Sequence, residues 1–252
     1  MTTIGCSKDK LVDYYDIYSI PYYTPILESM NMPRPEGSYT YPIIPTTKEW
    51  SELSDREEKE TVCQVPFDVL SQQTTQAVIQ GLWEYPLNLD FFAWNNYQER
   101  YDFVYLRLNA YRELLKRPDA ALCLLEKYKI VAERQKGYPF SHYILEMHLA
   151  QEYFIMQLSA DERKNVVKRS LEIIRIIEQD IDFFDVRLKI SISLYLIGRI
   201  MRYDNYSPFM DTLLIHPEWK SFFEHNDNDV ITDEKLNTFS DAITSSANDY
   251  VN

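Results

Sequence analysis

Three features of the chain predict an all-α fold built from helix pairs in layers. Five glycines among 252 residues are too few for the tight turns of an all-β protein or for glycine-rich phosphate loops. From Thr46 onward, runs with apolar residues at helical spacing follow Ser, Thr and Pro start signals. A hydrophobic content of 45% is enough for one continuous core. The expected layout is a processing site and tether over 1–10, an extended arm over 11–45 packed on the body, and one helical domain over 46–252, an irregular α-solenoid or αα superhelix.

The arm is set by proline. Pro21, Pro25, Pro33, Pro35, Pro42 and Pro45 block helix, while its tyrosines and isoleucines are too apolar for a solvated linker. Thr46 with Glu49 has capping-box spacing for a first helix, and Ser54 precedes the acidic first turn of a second. Pro66 suits the first position of a third helix, and Thr74 or Thr75 caps TQAVIQGLWEY before Pro86. The run YQERYDFVYLRLNAYRELLKR carries apolar residues on two faces and predicts one helix covered on both sides. PDAALCLLEKYKIVAERQ follows, then HYILEMHLAQEYFIMQL capped by Ser141, then ADERKNVVKRSLEIIRIIEQD capped by Ser159. Residues 186–196 alternate as a strand would, yet Ile190, Leu194, Ile197 and Met201 fit a helical stripe, and a lone strand would lack a partner; helix is expected. Its Arg187, Lys189, Arg199 and Arg202 exclude a membrane span, which needs about 20 apolar residues. HPEWKSFFEH and, after Thr232, DEKLNTFSDAITSSA complete a count of about nine to eleven helices of ordinary length.

A formal charge of −13 argues against nucleic acid as a partner and against attraction to an anionic lipid surface. Cys63 and Cys123 lie in apolar helical patterns and read as buried free thiols. Cys6, in IGCSKDK, reads differently: Ile4 and Gly5 fit a lipoprotein processing site, while Thr3 departs from its apolar first position. The basic and apolar leader of such a site is not present before Cys6, so the expectation is that Met1 is not the biological start and that Cys6 is the acylated first residue of the mature chain. If Met1 is the true start, a soluble cytosolic adaptor is expected instead.

YPIIPTTKEW, VCQVPFDVL, TTQAVIQGLWEYPL, the AWNN turn and NAYRELLKRPDAALCLLEKY follow one another over residues 41–128. In that order and spacing the chain resembles a group of uncharacterised secreted bacterial lipoproteins with ordered EW, CQxP, YPL, NN and REL-R-x-DA motifs. The resemblance implies export and a helical domain at the cell envelope, periplasmic or surface-exposed, and brings no known activity. Each motif residue also has a structural reading: Pro66 starts a helix, Tyr85-Pro86 ends one, Asn95 and Asn96 suit positive φ, Asp119 belongs in a first turn and Arg117 pairs with Glu113.

No catalytic residue, metal or cofactor is expected. His142 and Glu146 share a helix face, as do His148 and Glu152, but the two histidines sit about 240° apart around the helix and cannot chelate one ion. No serine lies in a nucleophile turn, Cys63 has no base beside it in sequence, and Ile231 and Glu234 spoil a calcium loop counted from Asp227. What remains is aromatic: Trp50, Trp83 and Trp94, with Asn96 and Arg117, are candidates for stacking on a glycan or clasping a protein ligand. The functional expectation is a non-enzymatic, lipid-anchored binding or scaffold module whose partners are the membrane, through Cys6, and a protein or glycan; a helical glycan hydrolase with a carboxylate pair is the alternative.

Overall fold

The computed structural model describes residues 34–88, 97–133, 141–179, 186–225 and 233–252. Cys6, the 1–10 tether, arm residues 11–33, Trp94, Asn95, Asn96 and the Thr232 cap lie outside the described residues. Within them the protein is helical, with no strand. Short helices lead: α1 (Lys48–Glu52), α2 (Arg56–Val62), α3 (Phe67–Leu70) and α4 (Thr75–Trp83). Next come α5 (Tyr97–Tyr105), α6 (Asn109–Leu114), α7 (Ala120–Glu133), α8 (Ser141–Leu149) and α9 (Glu152–Ile155). The chain closes with α10 (Ala160–Gln179), α11 (Val186–Tyr203), α12 (Ser207–Ile215), α13 (Lys220–His225) after a 3-10 turn at Pro217–Trp219, and α14 (Asp233–Val251), of which α10, α11 and α14 are the longest among the described residues.

Several starts shift by one residue. Thr47, not Thr46, caps α1 by accepting from the Trp50 amide, and Asp55, not Ser54, caps α2 by accepting from the Glu58 amide. The Glu58 carboxylate reaches back to the Ser54 amide at 2.7 Å, so the reciprocal logic of a capping box survives with its ring one residue wider. Pro66 is the N-cap of α3, Thr74 caps α4, and Ser159 with Glu162 forms the expected cap of α10. Ser141 is the first helical residue of α8.

Two expected helices are each broken in the middle, by side chains that satisfy backbone groups better elsewhere. The run from Tyr97 to Leu115 stops at Tyr105 because Asn109 pairs with the Val65 backbone in both directions, accepting from its N–H at 3.1 Å and donating to its carbonyl at 2.7 Å. Leu108 is extended there, and the Asn109 amide donates to Gln64 Oε1 at 3.0 Å. The run from Ser141 to Leu158 stops at Leu149, with Gln151 extended. Gln151 Nε2 donates to the Met147 carbonyl and Arg199 Nε to the Ala150 carbonyl, so the helix end is satisfied. A helix the sequence reading omitted, α12, starts behind a Schellman turn: Asn205 has φ of 50°, Tyr206 N–H bonds Met201 O, and Asn205 N–H bonds Arg202 O. Residues 186–196 are helix, as expected.

The layers are continuous. α4 packs on α6 and α7, α7 on α8 and α10, α8 on α11, and α10 with α11 on α14. α8 also meets α4 and α9, so every residue from His142 to Ala150 is buried. At the C-terminal end, Phe223 is caged by Phe209, Phe222 and Phe239 with ring centroids 5.0–5.8 Å away. Gly198 of α11 lies under that ring, and a Cβ there would overlap it.

Helix propensity favours Ala over Gly by about 1 kcal/mol, while overpacking a caged site costs about 1–3 kcal/mol. Gly198→Ala is therefore expected to lower the urea midpoint, and Gly198→Ala with Phe223→Leu to recover part of the loss; equilibrium unfolding of both variants checks this.

Candidate functional site

The most unusual chemistry lies inside the core rather than on its surface. Glu146 sits on central helix α8 with no solvent exposure. Its Oε1 accepts from Tyr128 of α7 at 2.6 Å and from Ser193 of α11 at 2.8 Å. Ser170 of α10 contacts the Tyr128 hydroxyl at 3.1 Å and the Val166 carbonyl at 3.1 Å. Four helices thus meet through one carboxyl and three hydroxyls. Glu146 Oε2 has no hydrogen-bond partner among the described residues and stands 3.9 Å from His142 Nε2, the i, i+4 neighbour expected on its face.

Burial determines the protonation of this group. Desolvation raises the Glu146 pKa from 4.5 to about 8 against the opposing effect of its two hydroxyl donors, so the carboxyl is neutral at pH 7. A neutral buried acid that both accepts and can donate costs far less than a buried carboxylate.

His148, two residues on, faces the other way. Its Nδ1 is 2.7 Å from the Tyr101 hydroxyl, and its ring stacks on Tyr111 and meets Tyr105 edge-on. Burial lowers its pKa from 6.5 to about 3, keeping the imidazole neutral. The expected pairing of His148 with Glu152 is not made: the chain is extended at Gln151, and Glu152 is exposed at the start of α9.

The predicted surface residues fall elsewhere. Trp50 is buried, with the Lys59 ammonium 5.7 Å from its ring. Trp83 is buried under Lys127, whose Nζ stands 4.2 Å from the ring and donates to Gln80 Oε1 at 2.6 Å. Beside it Glu84 accepts from Gln80 at 2.5 Å and from Arg34 at 2.8 Å, and desolvation raises its pKa. Arg117 binds Glu113 at 2.8 Å and the Gln73 carbonyl at 3.1 Å, while Asp119 accepts from Thr75 at 2.7 Å. With the Gln64–Asn109 and Val65–Asn109 bonds, these contacts tie the stretches 63–66, 73–75 and 109–119 to one another. Cys63 and Cys123 are buried free thiols, and desolvation raises the Cys123 pKa to about 11.

Sequence reasoning found His142 and Glu146 as a pair but missed Tyr128, Ser170 and Ser193. The available signal was polar groups at helical spacing on apolar faces, with Leu124 and Leu125 beside Tyr128, Val166, Val167, Ile173 and Ile174 around Ser170, and the run ISISLYLI around Ser193. Among the described residues no cluster of three or more His, Cys, Asp or Glu could hold a metal ion. The chain matches no family model, and neither curated proteins nor solved structures give a match.

The two buried groups pull stability in opposite directions with pH. Glu146, whose pKa rises on folding, contributes stability fully present below pH 4.5 and lost as pH climbs to about 8. His148, whose pKa falls on folding, contributes stability present above pH 6.5 and lost as pH drops toward 3. From pH 6.5 to 8 only the Glu146 slope remains, about tenfold in the folding constant per pH unit. Glu146→Gln is expected to flatten that alkaline limb and to be more stable than the parent at pH 8.5, as measured by denaturant midpoints across the range.

Proposed function

We propose that the chain is a non-enzymatic helical binding or scaffold module, of the αα-superhelix kind, held at a bacterial cell envelope by acyl chains on Cys6. The observation that carries the non-enzymatic reading is where the raised carboxyls spend their bonds. Glu146 is committed to Tyr128 and Ser193, Glu84 to Gln80 and Arg34, and Asp102 to Gln98. A glycan hydrolase needs two carboxyl groups facing one bond; each of these three instead serves its own inter- or intra-helix contact.

The anchoring half rests on the ordered motifs of residues 41–128 and on Ile4-Gly5-Cys6. The contacts among those motifs support their reading as fold-specifying. A binding role draws support from Leu214 and Ile215, consecutive at the end of α12 and 79% and 73% exposed. Among the described residues no helix is long and apolar enough to cross a membrane, so attachment would come from lipid at about 0.8 kcal/mol per buried methylene.

Mass spectrometry of the N-terminal peptide, taken from protein in its native host, tests the anchor. The expected result is Cys6 as the first residue, bearing a thioether-linked diacylglyceryl group. An intact Met1 with an unmodified Cys6 thiol would overturn it and leave the cytosolic adaptor.

A further inference from the structure

We propose that Leu214 and Ile215 are a membrane contact: the end of α12 inserts into a zwitterionic lipid surface and sets the orientation of the body against it. The inference deepens the anchored reading above and rests on it for its cellular meaning. Successive helix positions point about 100° apart, so two exposed neighbours present aliphatic carbon over a broad arc. Phe209 and Leu213 of the same helix are buried, while Leu214 and Ile215 are exposed. The base beneath this tip is fixed. Directly after it His216 stacks on Trp219 with ring centroids 3.9 Å apart, and buried Trp219 meets Phe239 edge-on at 4.9 Å.

Size and charge select the occupant. The apolar stretch is short, because Asp211, Glu218 and Lys220 on either side of it in sequence are exposed. Two aliphatic side chains fall far short of the roughly 800 Å² per partner that a stable protein interface buries. A second copy docked about a two-fold axis would also gather Asp211 and Glu218 with their own symmetry mates. An acyl layer demands no complementary shape, and burying aliphatic carbon in it is favourable. The lipid is zwitterionic because a chain of net charge −13, with two of its acids beside the tip in sequence, is repelled by an anionic surface.

The anchor leaves this contact within reach. A chain as long as residues 7–33 spans at most about 90 Å. That exceeds the roughly 70 Å half-circumference of a globule of this size. An acyl group on Cys6 and the tip of α12 can therefore enter the same leaflet, the first supplying attachment and the second orientation.

The test replaces the acyl group with a hexahistidine tag at the N-terminus of the full chain and follows dissociation from a phosphatidylcholine bilayer carrying nickel-chelating lipid. The expected result is that Leu214→Ser with Ile215→Ser leaves the bilayer roughly tenfold faster than the parent, with equal rates for the two on a lipid-free nickel-chelating surface. Both side chains are exposed, so the substitutions spare the core. Phe67→Ser, at an exposed ring on α3, should release at the parent rate. Equal rates for parent and double variant on the bilayer would overturn the proposal, as would an equal acceleration in Phe67→Ser. A difference that persists on the lipid-free surface, with the parent dimeric and the double variant monomeric in sedimentation, would assign the face to a second copy and also overturn it. Because the tag stands in for the lipid, an unmodified Cys6 in the mass-spectrometric test leaves this result untouched, and the two proposals fail separately.

Discussion

One carboxyl organises the interior. Glu146 projects from a helix buried from His142 to its end and takes hydrogen bonds from α7 and α11, with α10 joined through Ser170 and Tyr128. Hydrophobic packing is non-directional, so it can hold these four helices together without fixing their rotation about their axes. The hydroxyl contacts supply that direction. Their penalty is kept small because the group is held neutral, whereas a buried ionised carboxyl would demand a full ion pair.

The two helix breaks serve the same end. Had residues 141–158 continued as one helix, the Glu152 side of α9 would be carried along the axis of α8. The extended backbone at Gln151 instead lets Phe154 and Ile155 turn into the core beside α11. At the other break, Asn109 behaves as a single-residue strand partner for Val65, the nearest thing to sheet pairing among the described residues.

Much of this was legible locally. Helix identity, the buried thiols and the shared face of His142 and Glu146 follow from periodicity, because a 3.6-residue repeat needs no knowledge of neighbours. The breaks were not legible, since Asn109 and Gln151 sit in runs whose apolar pattern continues through them; only distant partners, Val65 and Arg199, tip the balance. α12 was legible in principle: Asn205 before Ser207-Pro208 is a stop followed by a start. Trp50 and Trp83 are not surface markers for a general reason: a large aromatic on a helix is worth more in the core than at its edge, and both are buried, each with a lysine ammonium over its ring. The hub could not be read at all from single residues, because Tyr128, Ser170 and Ser193 are polar interruptions whose common target lies on a fourth segment.

The protonated state of Glu146 also alters how the molecule is seen from outside. A count of side chains assigns the chain −13, yet one of those negative charges does not exist near neutral pH. The electrophoretic mobility and the long-range field felt by an approaching macromolecule are those of a particle one unit less acidic than its composition states, and the missing unit reappears when the chain is denatured.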